Sequence, residues 1–171
     1  MRARDLTTRY ESVGIDGDAV RAARLMAEHR LPALLVVDGS GAPAAILPAS
    51  QLVEVLVPDY VREDPTLAAV VDESHADRLC EELSGRTVRE CLSDAVPAPP
   101  VAHPDDTALE VAALMARVRS PLVAVVDGAV RDGGAGAPEP AAREGQRPPD
   151  GRLLGVITAS RLLERLLAAA R

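Results

Sequence analysis

Leu25–Gly41 reads LMAEHRLPALLVVDGSG, and Leu114–Gly128 reads LMARVRSPLVAVVDG. Laid without gaps, Asp16–Gly39 matches Asp105–Gly128 at half of its positions, among them Ala19/Ala108, Met26/Met115, Arg30/Arg119, Pro32/Pro121 and Asp38/Asp127. The match resumes at Gly41/Gly151 and continues through Ala49/Ala159, Ser50/Ser160, Leu52/Leu162, Glu54/Glu164 and Leu56/Leu166. Chance does not produce this at a regular offset, so the chain is a tandem duplication.

Each copy carries the same pattern. An amphipathic helix is expected over about Asp18–His29, capped by Asp16 or Asp18. Arg21, Arg24 and Glu28 form its wet stripe, while Val20, Ala23, Met26 and Ala27 face inward. Glu110, Ala113 and Arg117 are the corresponding stripe in copy two. Two apolar runs follow, Leu34–Val37 and Ala44–Leu47, each too short for a helix. Asp38-Gly39-Ser40-Gly41 between them is a hairpin-turn signal. Their near-continuous apolarity predicts strands buried on both faces. A closing helix covers Ala49–Val57. Before all this stand a short lead-in (Arg4-Asp5-Leu6, matched by Arg89-Glu90-Cys91-Leu92) and a brief strand, near Ser12–Ile15 or Val96–Val101. Pro97, Pro99 and Pro100 confine the second of these to a sheet edge.

The division that follows is 1–57 for repeat one, 58–85 for a connecting helical segment and 86–171 for repeat two. Asp64-Pro65 is a good helix start, and Gly85 a plausible stop. Residues 129–150 interrupt the second hairpin. Gly133–Gly136 with Pro138, Pro140, Pro148 and Pro149 makes this insertion a flexible loop.

Composition narrows the function. Net charge is -7, every basic residue is Arg, and Tyr10 and Tyr60 are the aromatic residues. Without a cationic run or a stacking surface, nucleic-acid binding is not expected. No apolar stretch suits a signal peptide or a bilayer span, so a cytoplasmic protein without membrane insertion is expected. Cys80 and Cys91 then read as free thiols, and Cys91, which matches Leu6, as a packing residue.

The two stretches quoted first, with Gly155-Val156-Ile157-Thr158 and its worn copy Ala45-Ile46-Leu47-Pro48, strongly resemble the cystathionine-β-synthase (CBS) domain pair, or Bateman module. The resemblance covers nearly the whole chain outside 129–150 and part of 58–85. It implies an α/β (α+β) fold of two β-α-β-β-α repeats packed about a pseudo-two-fold axis, with two clefts between them and dimerisation into a flat disk. It also implies a regulatory ligand, an adenine nucleotide or S-adenosylmethionine, with no cofactor required. The module would pass that signal to a separate enzyme or transporter.

In the family's Gly-x-x-Thr/Ser-x-x-Asp turn, the hydroxyl contacts ribose or phosphate and the Asp holds the ribose hydroxyls. Carried onto this chain, the pattern implies Thr158, Ser160 and Arg161, with Val156 and Val101 as apolar wall, in repeat two. It implies Ser50, Gln51 and Ile46, a weaker set, in repeat one. Both Asp positions are changed, to Arg161 and to Gln51. Arg161 donates only and suits phosphate or carboxylate. The bland reading of Thr158 and Ser160 is helix capping.

His29, His75 and His103 are dispersed and suggest no metal site. Asp72 with His75 reads as an exposed helix face, and Asp105/Asp106 as a helix start. No nucleophile–base pattern or phosphate-binding glycine loop is present, so no enzyme is expected. The rival to a nucleotide sensor is a ligand-free dimerising scaffold. The leucine stripe Leu162, Leu163, Leu166 and Leu167 would serve either as core or as a subunit seam.

Overall fold

In the computed structural model, residues 1–69, 80–93, 98–128 and 151–169 are described. Repeat one runs α1 (Ala3–Leu6), β1 (Ser12–Gly14), α2 (Ala19–His29), β2 (Ala33–Val37), β3 (Pro43–Pro48) and α3 (Ala49–Leu56). A short helix α4 (Asp59–Glu63) and two 3-10 turns, Pro65–Ala69 and Cys80–Leu83, belong to the connection. Repeat two runs α5 (Val88–Cys91), β4 (Val101–Ala102), α6 (Ala108–Val118), β5 (Leu122–Asp127), β6 (Arg152–Thr158) and α7 (Ala159–Ala169).

Each repeat forms a three-stranded sheet, ordered β1-β2-β3 or β4-β5-β6. The first pair is parallel and joined through a helix; the second pair is an antiparallel hairpin. Both hairpins shift register at the same place, between Val36 and Val37 and between Val125 and Val126. In the first hairpin the Asp38 carboxylate accepts from the backbone N–H of Ser40 (2.8 Å) and Ala42 (3.0 Å). The turn closes on Gly41 at φ 84°, a conformation that glycine adopts without strain.

The helices start where their caps place them. Asp18 accepts from Arg21 N–H at 2.7 Å and caps α2, which decides between Asp16 and Asp18. Its counterpart Thr107 caps α6 and pairs with Glu110 in a capping box. Both helices end on an arginine in the left-handed region, Arg30 and Arg119 at φ 51°. Arg21, Arg24 and Glu28 are exposed as expected, and so are Glu110, Ala113 and Arg117. Ala27, expected to face inward, is exposed, while Ala19, Ala22 and Met26 are buried. The buried face is rotated toward the first turn because Ala19 and Ala22 lie against the lead-in of the other repeat.

Three cores result, and they explain why β2 and β5 lack alternation. Leu34 and Val36 pack beneath the helices of repeat one, and Val123 and Val125 beneath those of repeat two. The opposite faces, Ala33 and Leu35 with Leu122, Ala124 and Val126, meet between the two sheets.

The lead-ins are exchanged. Ala3 and Leu6 of α1 lie in the core of repeat two, and Val88 and Cys91 of α5 in the core of repeat one. A four-residue helix cannot stand alone. Burying Leu6 completely supplies roughly 1.5–3 kcal/mol toward holding it. Backbone bonds fix the docking: Ala3 N–H donates to Asp106 O (2.8 Å) and Arg89 N–H to Ile15 O (2.8 Å). Arg4 pairs with Asp105, and Arg89 with Asp16. Cys91 is a buried free thiol, and burial pushes its pKa up.

The connection departs from the expected helical start at Asp64. Its carboxylate instead accepts from the backbone N–H (3.0 Å) and hydroxyl (2.6 Å) of Thr66, which holds Pro65–Ala69 in a tight 3-10 turn. β4 is two residues long, and Val96 and Pro97 of the expected strand lie outside the described residues. So do His75, Asp72, the side chain of Cys80 and the whole 129–150 insertion. Among the described residues no helix is long and apolar enough to cross a membrane.

Candidate functional site

The two β-to-helix turns named from the sequence occupy equivalent places. Ala159 N–H donates to Pro121 O and Ala49 N–H to Pro32 O, each at 3.0 Å. Each turn is thereby tied to the proline that ends the preceding loop.

In repeat two the polar groups of the turn are engaged locally. The Thr158 hydroxyl accepts from Arg161 N–H (3.1 Å) and lies 3.0 Å from the Ser160 hydroxyl. That is the geometry of a helix cap. Arg161 donates through one terminal nitrogen to Glu164 Oε2 at 2.9 Å. Its Nε is buried and meets no acceptor among the described residues. Val156 is 1 % exposed and packs between the sheets beside half-buried Val101. Its backbone is bonded in both directions to Thr8, at 2.9 and 3.1 Å. In repeat one Ser50 is exposed, Gln51 is half-buried, and Ile46 packs between the sheets with Val101 and Val156. Pro48 precedes α3 and supplies no side-chain cap. The structure therefore brings Thr158, Ser160 and Arg161 together at one turn and Ser50 with Gln51 at the other. The three apolar wall residues lie in the inter-sheet core.

An open depression of about 520 Å³ lies in repeat one, lined by Arg9, Tyr10, Glu11, His29 and Leu31. It is within the size range of small-molecule sites. The segment between α1 and β1 supplies Arg9, Tyr10 and Glu11, and the end of α2 supplies His29. Leu31 precedes Pro32, whose carbonyl holds the turn bearing Ser50 and Gln51, so depression and turn are neighbours. The Tyr10 hydroxyl donates to Ala33 O at 2.7 Å, fixing the ring. Burial pushes its pKa up. Arginine and histidine suit an anion, the tyrosine face suits a flat ring, and the Glu11 carboxylate accepts from hydroxyls.

Sequence reasoning missed this set. Arg9–Glu11 precede β1 without a motif, and His29 reads as one of three scattered histidines. The usable signal was Tyr10, an aromatic residue in a chain nearly without them. No group of three or more metal-binding side chains occurs among the described residues.

A family model described as "CBS domain" matches residues 3–58. No curated protein matches the chain. Among solved structures, CBSX2 in complex with AMP is 17% identical, covering 99% of this chain and 98% of that one, with TM-score 0.63. The CBS domain of a CBS domain-containing membrane protein from Sphaerobacter thermophilus is 22% identical, covering 96% and 86%, with TM-score 0.63. These two share the fold. A CBS domain-containing protein of unknown function from Kribbella flavida is nearer: 44% identical, covering 98% of this chain and 99% of that one, with TM-score 0.79. Such identity over both full lengths, on a duplicated β-α-β-β-α frame with exchanged lead-ins, means that the chain belongs to the CBS domain family.

Proposed function

We propose that this CBS pair is a non-catalytic regulatory module that senses an adenosine-type nucleotide and passes the signal, as a homodimer, to a separate protein. The observation that carries the reading is the depression of repeat one. Arg9 and His29 would face phosphate, Tyr10 the base, and Glu11 the ribose hydroxyls. Glu11 then supplies a carboxylate that Gln51 cannot. AMP bound to CBSX2, a protein of the same fold, supports the ligand class. A weaker second site is proposed at Thr158, Ser160 and Arg161, where the guanidinium suits an anion.

Coupling follows from the chain path. Thr8 is bonded to Val156 of repeat two and adjoins Arg9 of the depression. A ligand that draws on Arg9–Glu11 favours one arrangement of the repeats over another, and a partner that prefers that arrangement senses the ligand. At a hundredfold excess over its Kd the ligand stabilises the fold by about 2.7 kcal/mol.

The second reading, a ligand-free scaffold, is favoured by the local engagement of Thr158 and Arg161. Calorimetric titration and melting with AMP, ATP and S-adenosylmethionine separate the two. The sensor reading expects a rise in Tm with at least one of them, lost in Arg9→Ala and His29→Ala. No shift at millimolar ligand leaves the scaffold.

A further inference from the structure

We infer that Gly155 of repeat two is a positioning residue for the site in repeat one: it seats Thr8, and through Thr8 it sets where Arg9 meets the phosphate of a bound nucleotide. This rests on the nucleotide reading of the depression and adds to it a residue from the far repeat. Gly155 opens the Gly155-Val156-Ile157-Thr158 stretch, which the family pattern assigns to the ligand turn of its own repeat. In the structure it serves a different neighbour. The place of its missing Cβ is taken by the Thr7 methyl and the Thr8 carbonyl oxygen, so a glycine here lets that segment lie against β6. Thr8 is then fixed to Val156 by three bonds. Its N–H donates to the Val156 carbonyl oxygen (2.9 Å), its own carbonyl accepts from Val156 N–H (3.1 Å), and its hydroxyl donates to that same Val156 oxygen (3.3 Å).

The next anchor belongs to the other repeat. The Tyr10 hydroxyl donates to Ala33 O, and Ser12 pairs with Leu35 between β1 and β2. Arg9 is the single residue between Thr8, held by repeat two, and Tyr10, held by repeat one. One residue spans at most about 3.6 Å, so a displacement of Thr8 on β6 reaches Arg9 without slack to absorb it. Tyr10, and with it the face offered to the base, stays with repeat one. A displaced Arg9 therefore costs the phosphate contact and spares the base contact. Repeat one supplies the comparison. Ala45 stands at the position of Gly155 and is buried in the core beneath the helices. Ser93, which follows Cys91 as Thr8 follows Leu6, is exposed and forms no bridge to β3 among the described residues. The glycine accompanies the seat.

Calorimetric titration of the full chain with AMP, and with adenosine, which lacks the phosphate, tests this. Gly155→Ala is expected to weaken AMP at least about tenfold, as the loss of one charge-assisted contact does, and to leave adenosine unchanged. A glycine that only supports the fold would change neither affinity of the folded protein, or both alike. Gly39→Ala, whose Cβ position is open, binds both ligands as wild type does. Thr8→Ala loses only the hydroxyl bond to Val156 and weakens AMP about twofold, again without effect on adenosine. It carries the test where Gly155→Ala does not fold. Failure of the wild type to bind AMP overturns the nucleotide reading and this inference with it. AMP binding by the wild type that neither variant weakens selectively, or an equal loss in Gly39→Ala, overturns this inference alone.

Discussion

A Cβ placed on Gly155 would lie 2.6 Å from the carbonyl oxygen of Thr8 and 2.6 Å from the Thr7 methyl. The glycine is therefore the seat of the Thr7–Thr8 segment, which leads from α1 to Arg9 of the depression of repeat one. Gly155→Ala should destabilise the protein by about 1–3 kcal/mol, because the obstructing Thr8 atom is backbone and cannot rotate away. Gly39→Ala, with open space around its Cβ position, is the control. Urea unfolding of the two variants measures the difference.

Arg30 and Arg119 each hold a left-handed conformation at a helix end. That costs an L-residue roughly 1–2 kcal/mol, part of which glycine returns as unfolded-state entropy. Arg30→Gly and Arg119→Gly should each stabilise the chain by about 0.5–1 kcal/mol. The double variant should show nearly the sum, since the sites lie on separate repeats.

The Thr158 hydroxyl caps α7 by accepting from Arg161 N–H. Thr158→Ala should therefore lower stability by about 1 kcal/mol without nucleotide. Ser50→Ala, at an exposed position in the matching turn, should stay within about 0.5 kcal/mol of wild type. Equal losses in the two variants would contradict the capping role. Loss of a nucleotide response in Thr158→Ala is accordingly interpretable only beside the unliganded melting curve.

Hydrogen bonds from Ser40 and Ala42 hold the Asp38 carboxylate below its ordinary range, and those from Thr87 do the same for Glu90. Near pH 4 the unfolded chain then binds more protons than the folded one. The stability these groups contribute is complete above that range and is lost as pH falls through their folded values. Asp38→Asn should flatten the acid limb of stability against pH and leave its neutral and alkaline parts parallel to wild type.

The duplication made most of the fold legible. Two copies of one pattern, each with a proline before a doubly apolar run and Asp-Gly after it, leave little choice of topology. The exchange of lead-ins was not legible. Arg4-Asp5-Leu6 and Arg89-Glu90-Cys91 are so alike that either suits either core, and only the path of the intervening chain selects between them. The turn residues were found because a motif spans them. Arg9 and Glu11 were not, because they line the depression from an irregular segment before β1 whose neighbours there, His29 and Leu31, are distant in sequence. The start at Asp64 reads as a helix cap, but its carboxylate closes the turn on Thr66, and the same chemistry serves both structures.

Leu6 finishes a core that also holds Leu162 of the last described helix, so Leu6 is enclosed only after about 150 further residues have been made. At ribosomal speeds the interval is on the order of ten seconds. During it a segment with an apolar residue bound for the far repeat must stay in solution, and repeat one must wait for Val88 and Cys91. The protein is in this sense sewn shut rather than assembled from two finished halves, and a chain cut between the repeats should yield no folded piece.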